Sequence, residues 1–116
     1  MAIQIRSHLT ASPNPAALPH LIVFRQTLRS NMDGEAVVAV FQLAPDHEIW
    51  FKDTGGKPTK TIQRNLQVSQ IDQVVLTRIT LTKGPGTGPV TLVEIDQTIT
   101  DSSGTNIPDS CELQID

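Results

Sequence analysis

Residues able to do chemistry are few in this chain, and their spacing keeps most of them apart. Histidines stand at His8, His20 and His47, in three separate segments, and none has a second ligand at metal spacing. Cys111 is the only cysteine. It can form no internal disulfide and reads as a small buried hydrophobe. His47 and Glu48 adjoin, but neighbouring side chains on a strand point to opposite faces. Glu94 and Asp96 share a strand face with Cβ atoms about 7 Å apart. Without an aromatic cleft around them they read as a solvated edge. Asp101-Ser102-Ser103-Gly104-Thr105-Asn106, with Asp109, gathers hard oxygens in one loop. Calcium takes such a set; a polar turn uses the same residues, bonding them to its own backbone. No serine sits in Gly-x-Ser-x-Gly. The block Gly84-Pro85-Gly86-Thr87-Gly88-Pro89 lacks the Lys-Ser/Thr of a phosphate loop, and its prolines remove backbone donors. The chain is thus expected to be no enzyme and to hold no cofactor.

Two features suit contact with a protein. Alternation turns Ile49 and Phe51 inward and leaves Trp50 outward between Glu48 and Lys52. A lone outward tryptophan is a common interface anchor; the same ring suits equally a half-buried place under the Asp53 to Pro58 loop. The second feature is the outer row Gln63, Asn65, Gln67 and Ser69, which carries no charge and so lacks the usual protection of a sheet against association.

Composition limits the scaffold that must place these residues. A chain of 116 residues suits one domain, 1–116. Hydrophobic residues make up 38% and aromatics 3%, so the core must be aliphatic, with Phe24, Phe41, Phe51 and Trp50 as the only rings open to it. There is no tyrosine, which argues against an aromatic platform for single-stranded nucleic acid or sugar. A net charge of −3 without a lysine or arginine cluster argues against nucleic acid of any kind. No apolar run approaches the ~20 residues of a membrane span. The opening Met-Ala-Ile-Gln-Ile-Arg-Ser-His does not read as a secretory signal, so the expected compartment is cytoplasmic or phage-associated.

The pattern along the chain is that of strands. Ala2 to Thr10 alternates, and Ala11 to His20 holds Pro13, Pro15 and Pro19, which predicts an extended crossover that switches sheets. Leu21 to Ser30 turns Ile22, Phe24 and Leu28 to one face. Glu35 to Ala44 is apolar on both faces, and its three valines favour a central strand over a short helix. His47 to Lys52 is short. Thr61 to Ser69 buries Ile62, Leu66 and Val68, with Arg64 among them. Asp72 to Lys83 and Val90 to Thr100 are rich in Val, Ile and Thr and are expected to form a hairpin around the glycine-proline block. Asp101 to Ser110 reads as a polar loop, and Cys111, Leu113 and Ile115 as the inward side of a last strand. About eight strands without a helix predict an all-β antiparallel sandwich of immunoglobulin-like or jelly-roll type.

Thr10-Ala11-Ser12-Pro13-Asn14-Pro15, followed by the apolar strand Leu21 to Ser30, resembles the opening of bacterial immunoglobulin-like domains. In that family such a segment links the first strand to the second. The resemblance covers about a fifth of the chain. It implies an immunoglobulin-like sandwich and a role as a spacer or adhesive module on surface proteins or phage tails. The chain departs from the pattern in having no tyrosine to fill the usual buried corner. The residues and the resemblance together predict a structural or assembly subunit that binds protein, first of all copies of itself, through Trp50, Glu48, Lys52, Gln63, Asn65 and Gln67. The second reading is a small calcium-dependent, lectin-like carbohydrate binder built on the Asp101 to Asp109 loop.

Overall fold

Alternation of large aliphatic and polar side chains decides the structure of this chain, a computed structural model that describes residues 5–31, 34–86, 90–101 and 103–116, the side chains of 5–7 excepted. The start of the first expected strand at Ala2 to Gln4, the turn residues Met32 and Asp33, the Thr87-Gly88-Pro89 tip and Ser102 lie outside the described residues. Nine strands follow: β1 (Ile5–Ser12), β2 (His20–Ser30), β3 (Glu35–Gln42), β4 (Ile49–Lys52), β5 (Pro58–Thr59), β6 (Thr61–Val68), β7 (Gln73–Lys83), β8 (Leu92–Thr100) and β9 (Asn106–Gln114). They form two antiparallel sheets, one in the order β1-β2-β7-β4-β5 and the other β6-β3-β8-β9. The Glu35 segment is a strand inside the second sheet, as its valines predict.

The order is informative. In constant-type immunoglobulin domains the first, second, fifth and fourth strands form one sheet and the third, sixth and seventh the other. Setting aside β5 and β6, the strands of this chain take those places. β6 is an addition beside β3, and β5 is a two-residue extension of the β4 edge.

Three expectations of connectivity are corrected. β7 and β8 do not form a hairpin: they lie in different sheets. β-Propensity marks both runs as strands but does not say which edges pair, and both edges of each are taken by other strands. β7 lies between β2 and β4, and β8 between β3 and β9. The proline-rich segment does not switch sheets, since β1 pairs with β2. It does reach across to the other sheet, where Ala16 N–H donates to Gln114 O (2.9 Å) and Asp116 N–H to Ala16 O (2.9 Å). The last strand starts at Asn106, not Cys111, so β8 and β9 form the true hairpin. Pro108 is tolerated there because β9 is an edge strand.

Between the sheets lie side chains expected to face inward: Ile22, Phe24, Leu28, Phe41, Ile49, Phe51 and Leu113 are fully buried, while Leu66, expected among them, is half-buried on the edge strand β6, and Ile95 joins the core. The rings of Phe24 and Phe41 meet across the gap with centroids 5.2 Å apart. Among the buried polar residues, two bond to each other across the core. Gln26 on β2 and Gln97 on β8 are buried and exchange hydrogen bonds; Gln26 Nε2 donates to Gln97 Oε1, and Gln97 Nε2 donates to Gln26 Oε1 at 2.9 Å. Both occupy inward positions in their strands, so alternation alone marks them as polar intruders.

A buried amide stripped of a partner keeps its desolvation cost. Replacing Gln97 by Leu takes both reciprocal bonds from Gln26 and should lower unfolding free energy by about 1–3 kcal/mol. The double replacement Gln26→Leu/Gln97→Leu should recover part of that loss. Urea titration of the three variants beside wild type measures both effects.

Candidate functional site

The outer face of the four-stranded sheet is built from the alternate positions of β6, β3, β8 and β9. Register sets Gln63, Val40, Thr98 and Pro108 in one row and Asn65, Val38, Thr100 and Asn106 in the next. Neither row holds a charge. Gln63, Asn65 and Gln67 are exposed as expected. Ser69 leaves the row: it is half-buried, and its Oγ donates to Ile71 O at 3.2 Å. Sequence reasoning found β6 but missed that Val38, Val40, Thr98 and Thr100 continue its charge-free surface, because the pairing of β3 with β6 and β8 is not written in any one strand.

Charge on this face collects at one end. Glu94 lies directly opposite Glu112, and Asp96 lies on the same side of β8. A hydrogen bond with Asp96, its charge and that of Glu112 raise the pKa of Glu94 above the ordinary carboxylate value. Like charges placed opposite each other across a ladder are destabilising.

Trp50 lies on the outer side of the five-stranded sheet, opposite Thr82, but its own chain covers part of it. The indole Nε1 donates to Pro85 O at 2.8 Å, and Lys60 Nζ stands 4.3 Å from the ring centroid. The same ammonium donates to His47 O (2.8 Å) and Ile49 O (2.5 Å) and lies 3.2 Å from His47 Nδ1. Lys60 therefore ties the segment before β4 to the link between β5 and β6. Burial lowers its pKa, opposed by Asp46. Burial and then the Lys60 charge lower that of His47, whose Nδ1 also accepts from Ile49 N–H at 3.1 Å. Lys60 carries no periodicity signal, because it sits between two strands. Of the residues expected beside Trp50, Lys52 is exposed, while Glu48 is half-buried with Oε1 3.4 Å from Val90 N–H. Gly84 and Gly86 complete the corner. A Cβ on Gly84 would lie 2.9 Å from Trp50 Cδ1, and one on Gly86 would collide with the peptide between His47 and Glu48.

The other candidates stay apart. Among the described residues no group of three or more His, Cys, Asp or Glu side chains could hold a metal ion. Asp101 and Asp109 are separated: Asp109 pairs with Gln97 within the β8–β9 ladder, and Asp101 closes the turn. Asp101 Oδ1 accepts from Ser103 N–H (3.0 Å), Ser103 Oγ (2.7 Å) and Thr105 N–H (2.9 Å). The Ser103 hydroxyl bond is the largest of the effects that hold the Asp101 pKa below its ordinary value. These are the bonds of a polar turn, made by one oxygen of the carboxylate to two backbone N–H groups and a hydroxyl. Cys111 lies on the inward row beside Leu113 but is only half-buried, since β9 is an edge. It lines an open groove of about 440 Å³ between β1 and β9, with Leu9, Ala11, Asn14 and Glu112. Burial, then Asp109 and Asp96, push its thiol up to about 12.

Three measurements follow from this geometry. Gly86→Ala should destabilise the fold by about 1–3 kcal/mol through overpacking, as read by thermal unfolding. Gly84→Ala should displace the indole and shift the tryptophan emission. A thiol reagent should label native Cys111 at neutral pH roughly tenfold or more slowly than the unfolded chain, because the thiolate is the nucleophile and is suppressed in the fold.

No family model matches this chain, and no curated protein matches it. Solved structures do resemble it. A FixG-related protein from Vibrio parahaemolyticus superposes with a TM-score of 0.52 at 11% identity, over 96% of this chain and 95% of that one. The CARDB domain of a Pyrococcus furiosus protein, solved in complex with di-metal ions, superposes with a TM-score of 0.50 at 9% identity, over 97% of this chain and 93% of that one. At such identities the likeness is one of fold, a two-sheet β-sandwich of immunoglobulin-like kind.

Proposed function

We propose that this chain is a non-catalytic structural or assembly subunit that binds protein, first of all a second copy of itself, through the outer faces of its sandwich. The observation that carries the reading is the pair of charge-free rows from Gln63 to Pro108 and from Asn65 to Asn106. Val38 and Val40 lie at their centre, half-buried between polar neighbours. Rows of this kind lose little on desolvation, because they have no ion to strip of water and their polar groups are neutral amides and hydroxyls. Trp50 adds a partly covered aromatic ring on the opposite sheet, and its remaining open side is a second contact in the same reading.

Sedimentation velocity over a range of concentrations tests the proposal. Wild type should associate. Thr98→Lys places a charge in the centre of the face and should weaken association by about tenfold or more, equivalent to ~1.4 kcal/mol. Trp50→Ala should weaken association and also lower the melting temperature, since it loses the Pro85 bond and the Lys60 contact. Unchanged association of Thr98→Lys would remove this face from the interface. A wild type that stays monomeric at high concentration would reject self-assembly.

A further inference from the structure

The two outer faces of the sandwich carry opposite charge. On the five-stranded sheet, register places Arg25 beside Leu76 and Arg78 beside Val23, with Lys52 opposite Thr80. Arg25, Arg78 and Lys52 are exposed, and so are the apolar Leu21, Val74 and Leu76. No outward position described on β1, β2, β7 or β4 is acidic. On the four-stranded sheet, no outward position of β6, β3, β8 or β9 is cationic, and Glu94, Asp96 and Glu112 crowd one end beside the exposed Leu92.

We propose that copies of this chain stack face to face, the Arg25–Arg78 surface of one receiving the Glu94–Asp96–Glu112 end of the next. The contact rests on the self-assembly reading above and names its two surfaces. Spacing supports it. Arg25 and Arg78 are diagonal neighbours on paired strands, about 7–8 Å apart, and Glu94 and Asp96 are separated by about 7 Å along β8. Glu94, Asp96 and Glu112 bring three carboxylates together at this end, where the hydrogen bond with Asp96 and then the neighbouring charges raise the Glu94 pKa, and an arriving guanidinium offsets that like charge. Leu21, Val74 and Leu76 meet Leu92 and the valine rows, so apolar surface is buried with the ion pairs. The molecule measures 45 × 23 × 23 Å, so one long face can supply the ~800 Å² per partner of a standard interface. Each copy offers one basic and one acidic face, so the contact is heterologous and does not close on a dimer. It builds open stacks.

The test is sedimentation velocity of the full chain at ~0.01 M and ~1 M salt, where the screening lengths are ~30 and ~3 Å. Two variants are compared with wild type: Arg25→Glu/Arg78→Glu, acidic on both faces, and Glu94→Lys/Glu112→Lys, basic on both. All four positions are exposed, and circular dichroism with thermal melting confirms that each variant is folded. Wild type should form concentration-dependent oligomers at low salt that dissociate at high salt. Each variant alone should associate at least tenfold more weakly, and an equimolar mixture should recover association. Variants that associate like wild type would overturn this contact and leave self-assembly standing. Weakened variants that do not recover on mixing would overturn the heterologous pairing. A wild type that stays monomeric at both salts would overturn self-assembly and this contact with it. If that monomer binds anionic lipid vesicles, the basic face belongs to a membrane surface instead.

Discussion

Gln26 and Gln97 hold the two sheets in one relation to each other. The rest of the core is almost wholly aliphatic, and such side chains fill space without insisting on particular neighbours. Sliding one sheet past the other by a residue pair would still bury leucine against isoleucine. It would also leave two amides in an apolar gap, each without the other, at a cost of about 1–3 kcal/mol per group. The glutamines sit on β2 and β8, inner strands of their sheets, so the pair acts at the centre of the sandwich. With that offset set, Phe24 meets Phe41 two positions along β2. A polar pair thus supplies the positional information that the hydrophobic core lacks.

Three corners where connecting segments meet the sheets show the same economy. Each is closed by side chains or backbone groups that bond across it. Asn14 Nδ2 donates to Glu112 O (3.0 Å) and its Oδ1 accepts from Gln114 N–H (2.9 Å), fastening the proline segment to β9. Ser30 N–H donates to Ser69 O at 2.7 Å, joining the end of β2 to the end of β6. At the third corner Lys60, Trp50 and Pro85 interlock, and Gly84 N–H donates to Glu48 O at 2.8 Å. Prolines and glycines leave these segments without ladder partners. The cross-bonds supply what the ladder cannot.

Strands were legible in the sequence because burial on one face imposes a period of two, and β2, β4, β6 and β8 read directly from it. Pairing was not legible. β7 and β8 look like the arms of a hairpin because both are rich in Val, Ile and Thr, yet nothing local distinguishes a turn from a passage between sheets. Outward positions could be named, as with Gln63, Asn65 and Gln67, but a face is a property of four strands in register. Glu112 faces Glu94 only after β9 is paired with β8. Trp50 illustrates the opposite error. Alternation put its ring on the outer side correctly, but Lys60, ten residues later and outside any strand, provides a cover that no period foretells.

The edges of the sandwich bear on which surfaces are open to a partner. Unpaired strand edges invite other strands, and proteins that must avoid this shorten them or interrupt them with proline and charge. Here β5 has two residues and begins with Pro58. β9 carries Pro108 together with Asp109 and Glu112. β6 places Arg64 on its inward row. β1 is flanked along its far end by the proline segment, which is fastened to β9. Three of the four edges are therefore blunted by residue choice and the fourth is bordered by a tethered loop. The broad faces have no comparable protection. One has rows without charge, and both have charge of a single sign. With its edges blocked in this way, the association proposed above would run through side chains and not through backbone ladders. Contacts of that kind respond to salt and to single charges, whereas an added strand would not.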